Sequence, residues 1–449
     1  MPASRLLQLI SKIAQSVLRT DNHLPRSPRM DGAETWNDRL PVELLDMIFE
    51  DTDSKTQKAC SLVCRDWLGV GRRHIFDTVV VRSDTSFDAF LQFLTTHPHI
   101  SDHVNELYLL GPDRKSKSYK AHKFPLVDPL TLVDIAMAAP NVSSIKLEAV
   151  GLVDIPENAK ARLASLPGPV QLPELSLTGN PLAVDHSPVA ILRLFYLFEA
   201  ERMQVELSGG WGPSPVQAAD DETPIVALPW QVQHHSICLK KITRSQESHL
   251  DALTHILVPG SLRQLHLDFY NWSHIDEMGR FLQHVGDSIT EFTITFGHAL
   301  SMYNFRDHTP SEEEWASYGF SHLRNLSKLR FDLQAPLTGD FDEEPPTWLD
   351  NTGIPRFLAC FPRDLPLHDG VDIDVQYVGD IVLGGYGSVK PRPKIEDALL
   401  RFENLTIVGL WPSSTYGGDY ATDFGAQTFP RLWEAKLLAC MDEVDECCP

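Results

Sequence analysis

Four groups of side chains in this 449-residue chain have types and spacing that could do chemistry. Cys60 and Cys64 lie four apart, a helical spacing that could present two thiolates to a metal ion. His97, His99 and His103 fall within "HPHISDH", and His234 and His235 are adjacent. A tetrahedral site would need an acid or thiol partner brought into ligating geometry with these side chains, and the sequence does not fix one there. The two cysteines therefore read as small buried hydrophobes. "GGYG" at 384–387 resembles a phosphate loop only superficially and reads as a turn. No GxxxxGK[ST], GxSxG, HExxH or strand–GxGxxG–helix pattern occurs. What the chain offers in place of bond chemistry is recognition by apolar and aromatic side chains.

Composition narrows the classes further. Hydrophobic residues make up 43% of the chain, which belongs to a folded protein. A formal net charge of −22 argues against nucleic acid and anionic membrane as partners, since both attract basic surface. No run of about 18 apolar residues is present to span a bilayer. Seven cysteines without CxxC spacing point to a reducing compartment, cytoplasmic and/or nuclear. Acidic runs such as "DFDEE" (340–344) and "EEE" (312–314) read as solvated loops. The sequons at Asn141, Asn271, Asn325 and Asn404 read as chance occurrences.

The elements that would carry recognition begin at "RLPVELLDMIFED" (39–51) and "ACSLVCRDW" (59–67). Pro41 suits the first turn of a helix, and Glu43 and Asp46 complement the positive end of its dipole. Leu44, Leu45, Ile48 and Phe49 make a wide apolar stripe on it. A second helix, capped by Ser54, would align Ala59, Leu62, Val63 and Trp67. Some forty residues cannot bury so much apolar surface alone, and exposed apolar surface marks a docking site.

The Leu-Pro opening, the Ile-Phe pair, Val-Cys-Arg-x-Trp and a closing Ile75-Phe76, in that order, resemble an F-box. The resemblance implies binding to a Skp-type adaptor and, through it, to a cullin complex. It also implies adaptor-facing or motif-packing roles for Leu40, Pro41, Leu44, Leu45, Ile48, Phe49, Val63, Cys64 and Trp67, without separating the two roles.

The rest of the chain is periodic. Apolar-x-x-apolar-x-apolar recurs as "VNELYL" (104–109), "VSSIKL" (142–147), "LPELSL" (172–177), "LRQLHL" (262–267), "ITEFTI" (289–294), "LSKLRF" (326–331) and "FENLTI" (402–407). Weaker copies start at 76, 202, 234 and 370. Helical patterns lie between them, with Phe87, Phe90, Leu91 and Leu94 on one face, then Leu132, Val133, Ala136 and Met137. Ile275, Met278, Phe281, Leu282 and Val285 form a third, and Ser311 to Glu314 is a capping-box pattern. A strand–helix unit of about thirty residues buries its apolar face only against copies of itself. The expectation is an α/β chain, a small helical F-box followed by a strand–helix solenoid with parallel strands. The array resembles irregular leucine-rich repeats, although the regular Leu spacing survives only in "LPELSLTGNPL" (172–182).

The expected organisation is an N-terminal segment (1–36) that is flexible or an amphipathic helix, the F-box (37–80), the repeat region (81–435) and an acidic tail (436–449). The stretches 209–224 and 335–368 read as loops. Near the end, Trp411, Tyr416, Tyr420 and Phe424 are interleaved with glycines, as a target-binding loop or as a cap over the last repeat. Three functions follow. The first is a non-catalytic substrate receptor of a Skp–cullin–F-box ubiquitin ligase, without cofactor, holding an unknown protein for ubiquitin-dependent degradation. The second is an F-box scaffold outside a ligase. The third is an enzyme with an unrecognised α/β catalytic domain.

Overall fold

The computed structural model describes residues 41–113, 115, 117–120, 124–179, 188–206, 230–240, 247–268, 275–295, 311–336, 353–378, 391–412 and 425–440. Three helices come first: α1 (Val42–Glu50), α2 (Ser54–Cys60) and α3 (Arg65–Asp77). Among the described residues, two small two-stranded pairings aside (Leu126–Val127 with Gly151–Leu152, Val170–Gln171 with Phe198–Glu199), twelve strands follow, β1 (Thr78–Arg82), β2 (Glu106–Leu110), β3 (Ser144–Glu148), β4 (Glu174–Thr178), β5 (Arg202–Glu206) and β6 (Ser236–Lys240). The set continues with β7 (Gln264–Asp268), β8 (Glu291–Thr295), β9 (Lys328–Pro336), β10 (Gly370–Val378), β11 (Val408–Pro412) and β12 (Leu438–Cys440). They form one sheet in unbroken chain order. Every neighbouring pair is parallel.

Parallel neighbours need crossovers, and helices supply most of them. Counting helices of five residues or more, these are α4 (Asp88–Thr96), α5 (Pro129–Ala138), α6 (Pro188–Leu197), α7 (Glu247–Ile256) and α8 (Ile275–Val285). After them come α9 (Glu312–Ser317), α10 (Ile354–Ala359), α11 (Pro393–Leu400) and α12 (Pro430–Glu434). From α4 to α12 each helix packs on the next, so the helix layer repeats the strand order. The alternation of strand side chains puts one apolar row between the layers: Leu107 and Leu109, Ile145 and Leu147, Leu175 and Leu177, Met203 and Val205, and so on to Val408 and Leu410. That row and the inward helix faces make one continuous core from Phe87 to Leu438.

Polar stitches hold successive units in register. Asn141, Asn325 and Asn404 each reach back one unit, donating Nδ2 to the carbonyls of Asp102 (2.7 Å), Asp287 (2.7 Å) and Asp364 (3.1 Å). Two residues on, Ser143, Ser327 and Thr406 donate hydroxyls to the carbonyls of Asn105, Thr290 and Leu367. At these three sites both polar side chains of the Asn-x-Ser/Thr triplet are thus bonded to the preceding unit. Asn271 lies outside the described residues.

Other expectations need adjusting. "FENLTI" places its strand too early, because β11 begins at Val408 and the matching phase is "LTIVGL" (405–410). The stretch 335–368 is not all loop: it contains the end of β9 and all of α10, and Phe361, Leu365 and Leu367 are in the core. The parallel sheet runs past 435, since Leu438–Cys440 pairs with Val408–Leu410. Met137 is exposed, while Leu130 and Ile135 join Leu132, Val133 and Ala136 inside. The capping box at α9 forms as expected, with Ser311 and Glu314 bonding each other's backbone. "GGYG" and 209–224 lie outside the described residues.

Two histidines sit where protonation is unfavourable. His234 is fully buried and spans the chain between the Phe195 carbonyl (3.1 Å) and the backbone of Ala200. Burial holds its pKa below the usual range. Burial, with Lys240 and Arg330 nearby, lowers that of His266 to about 3. Both gain a proton on unfolding below about pH 6.5 that the fold refuses, so stability falls as pH drops through that value. Chemical denaturation at pH 7 and pH 5 should show this loss, and His266→Gln should lessen it; an identical pH dependence in the variant would refute the assignment. Asn325→Ala should cost about 1 kcal/mol in urea unfolding, a net hydrogen bond's worth, and an unchanged midpoint would rule out the stitch.

Candidate functional site

The three leading helices form a small unit with its own interior. Leu45, Phe49 and Val70 are its buried centre, with Cys60 and Trp67 packed at the margin. α1 starts after Pro41, whose carbonyl accepts from Leu44 N (3.0 Å) and Leu45 N (3.2 Å). At its other end the Phe49 carbonyl is filled by Thr52 Oγ1 (2.9 Å) and Gln57 Nε2 (2.8 Å). Asp53, not Ser54, caps α2, accepting from Thr56 N at 2.8 Å. That bond holds the Asp53 carboxyl below its usual range.

The second helix expected through Trp67 is broken in two. Leu62 N and Val63 N bond back only three residues, to Ala59 and Cys60, and Cys64 is extended at φ −157°. A new helix then starts, placing Trp67 edge-on to Phe49 at 6.1 Å between ring centroids. His74 stacks on the other part of Phe49 (5.8 Å) and meets Asp46 Oδ1 at 3.0 Å, where Arg73 also arrives at 3.2 Å. Gly71 makes the crossing of α1 and α3 possible: a Cβ there would lie 2.9 Å from Phe49 Cε1 and 2.7 Å from Ser61 Cβ.

Because so few residues fill this interior, much apolar surface remains outside. Val42 is 49% exposed, Leu44 45%, Met47 60%, Leu62 84% and Val63 55%. Among the described residues ten large apolar side chains are exposed, and these five are half of them. The structure divides these residues by burial. Leu45, Phe49 and Trp67 pack the unit, Ile48 and Cys64 are half-buried, and Pro41, Leu44 and Val63 face outward. Leu40 lies outside the described residues. Val42 and Met47 were not anticipated, and Leu62 was expected only as part of the second helix's apolar strip. Met47 could have been, since it sits two residues from both Leu45 and Phe49 and so on the opposite side of α1.

The unit is joined to the sheet without a linker. α3 passes directly into β1, and Asn105 clamps the junction, bonding the Asp77 carbonyl through N (2.9 Å) and Asp77 Oδ1 through Nδ2 (2.6 Å). Beyond it, the sheet face away from the helices carries mostly polar side chains in rows. One row runs Val80, Tyr108, Lys146, Ser176, Gln204, Cys238, His266, Thr293, Arg330, Asp372, Gly409 and Ala439. Its charges are cross-linked: Lys146 to Glu174 (3.6 Å), Lys328 to Asp372 (3.2 Å), and Arg330 bidentate to Asp374 (2.8 and 2.9 Å).

Trp411 belongs to this face and not to a loop. It lies on β11 with the Arg330 guanidinium 5.6 Å from its ring centroid. Tyr416, Tyr420 and Phe424 lie outside the described residues. His97 stacks on Phe93, and among the described residues no group of three or more His, Cys, Asp or Glu is placed to hold a metal ion. Cys60, Cys64, Cys238 and Cys360 are free thiols. No helix among the described residues is long and apolar enough to cross a membrane. Comparison with protein-family models gives no match, and comparison with curated proteins gives none.

Glycine substitutions in α3 test the helix crossing. Gly69 has open space around it, so Gly69→Ala should stabilise the unit by up to about 1 kcal/mol through helix propensity. Gly71→Ala should instead destabilise it by about 1–2 kcal/mol through overpacking. Amide hydrogen exchange over 42–77 reads both, and equal protection gains in the two variants would contradict the packing.

Proposed function

We propose that this chain is a substrate-receptor subunit of a Skp–cullin–F-box ubiquitin ligase. In this reading the helical unit is the F-box. The sheet and its helices are a leucine-rich-repeat-like solenoid with the polar sheet face as its concave side. The observation that carries the reading is the exposure of Val42, Leu44, Met47, Leu62 and Val63 around an interior already occupied by Leu45 and Phe49. Exposed apolar patches of this kind on small units serve as protein-docking surfaces. The order of F-box-like residues supports a Skp-type adaptor as the partner that covers them. Strictly sequential parallel strands, with three units stitched by asparagine to the one before, support the repeat reading.

Such a subunit acts by position. The adaptor holds one end, the repeat surface holds a target protein, and the target's lysines are kept at high effective concentration beside the charged conjugating enzyme. A linker-free α3–β1 junction serves this purpose, because a long flexible joint would dilute that concentration. The polar sheet face, with Trp411 on it and Tyr416, Tyr420 and Phe424 following in sequence, is the surface assigned to the target.

The double substitution Leu44→Asp/Met47→Asp removes two outward side chains and leaves Leu45 and Phe49 in place. It should weaken adaptor binding at least 100-fold in a titration while the melting temperature moves little. Undiminished binding would remove the assignment. Recovery of cullin with the wild-type chain separates a ligase subunit from an F-box scaffold acting elsewhere.

A further inference from the structure

The exposed ridge of α1 is ringed by acid. Met47 lies between Glu43 and Glu50, four residues before and three after it, and all three are exposed. Asp51 and Asp53 continue the negative charge beyond the helix end, with Lys55 and Lys58 following on α2. An occupant of this ridge should therefore be apolar along one face and basic at its margins.

One segment of this chain has that chemistry. In "RLLQLISKIAQSVLR" (5–19), Leu6, Leu9, Ile10, Ile13 and Val17 recur at helical spacing. Arg5, Lys12 and Arg19 are its only charged side chains, and no acid precedes Asp21. The segment lies outside the described residues. Residues 20–40 connect it to α1, and at about 3.3 Å per residue they can span up to about 70 Å, far more than folding back requires. A tether of this length gives an effective concentration on the order of millimolar, so even a weak contact would be well occupied.

We propose that residues 5–19 dock on the apolar ridge of α1, contacting Leu44 and Met47 between Glu43 and Glu50, and must be displaced before a partner protein binds there. The displacement step rests on the F-box reading; the docking itself does not.

The full-length chain tests both parts. Oxidation of Met47 to its sulfoxide by dilute peroxide, followed by mass spectrometry, reports how well that side chain is covered. Two variants change only the segment, Leu9→Asp/Ile13→Asp and Arg5→Glu/Lys12→Glu/Arg19→Glu. Each should oxidise at Met47 at least threefold faster than wild type and bind the Skp-type adaptor severalfold more tightly. Equal oxidation rates in all three chains would overturn the proposal, whatever the adaptor does. Protection that grows with protein concentration would assign the occupant to a second copy and overturn the intrachain form. Faster oxidation with unchanged adaptor affinity would overturn the displacement step. Faster oxidation with no adaptor binding by any of the chains would leave the docking standing and remove the F-box reading.

Discussion

The interior between α1 and α3 has room for very little. Phe49 fills it, with Trp67 on one side, His74 on another and Gly71 pressed so close that no Cβ fits. Leu45 and Val70 complete it. The unit therefore cannot draw Leu44, Met47, Leu62 or Val63 inward without expelling something it already holds. Close packing makes such a core saturable, and apolar side chains beyond its capacity stay in water until another surface covers them. The proposed docking site is this surplus.

The sheet solves the same problem by repetition. A five-residue strand and a ten-residue helix cannot seal their shared apolar face, but β1 to β12 and α4 to α12 stack in chain order and seal it together. The polar side chains have two jobs in this arrangement. Asn141, Asn325 and Asn404 fix their units to the preceding ones, while Lys146, Lys328 and Arg330 of the open face are tied to acids across strands. A face whose charges are already oriented by neighbours is preorganised for recognition, since little side-chain freedom remains to be lost on binding.

How much was legible in the sequence depended on which force set each element. Strands with two core-facing residues stood out, because burial fixes a period of two; β2, β3, β4, β7, β8 and β9 fall where the pattern put them. β11 was misphased by three residues because Phe402, a core residue before the strand, mimicked the first apolar position. α10 was obscured by the prolines and acids around it. Its anchors Ile354, Phe357 and Leu358 are too few to show a period, and only tertiary burial identifies them. The F-box-like residues were visible as a set. Their division into inward and outward was not, because the break between Cys60 and Arg65 rotates the following helix, and no propensity rule announces it. The stitching asparagines were hidden for a different reason: their role depends on carbonyls nearly forty residues earlier.

The central claim is that a second polypeptide covers the outward side chains of α1 and the turn at 61–63. Hydrogen exchange of the intact chain, with and without saturating Skp-type adaptor, maps that cover directly. The account predicts new protection concentrated over residues 42–68, with the amides of β2 to β12 unchanged. Protection confined to the sheet, or none anywhere at saturation, would contradict it.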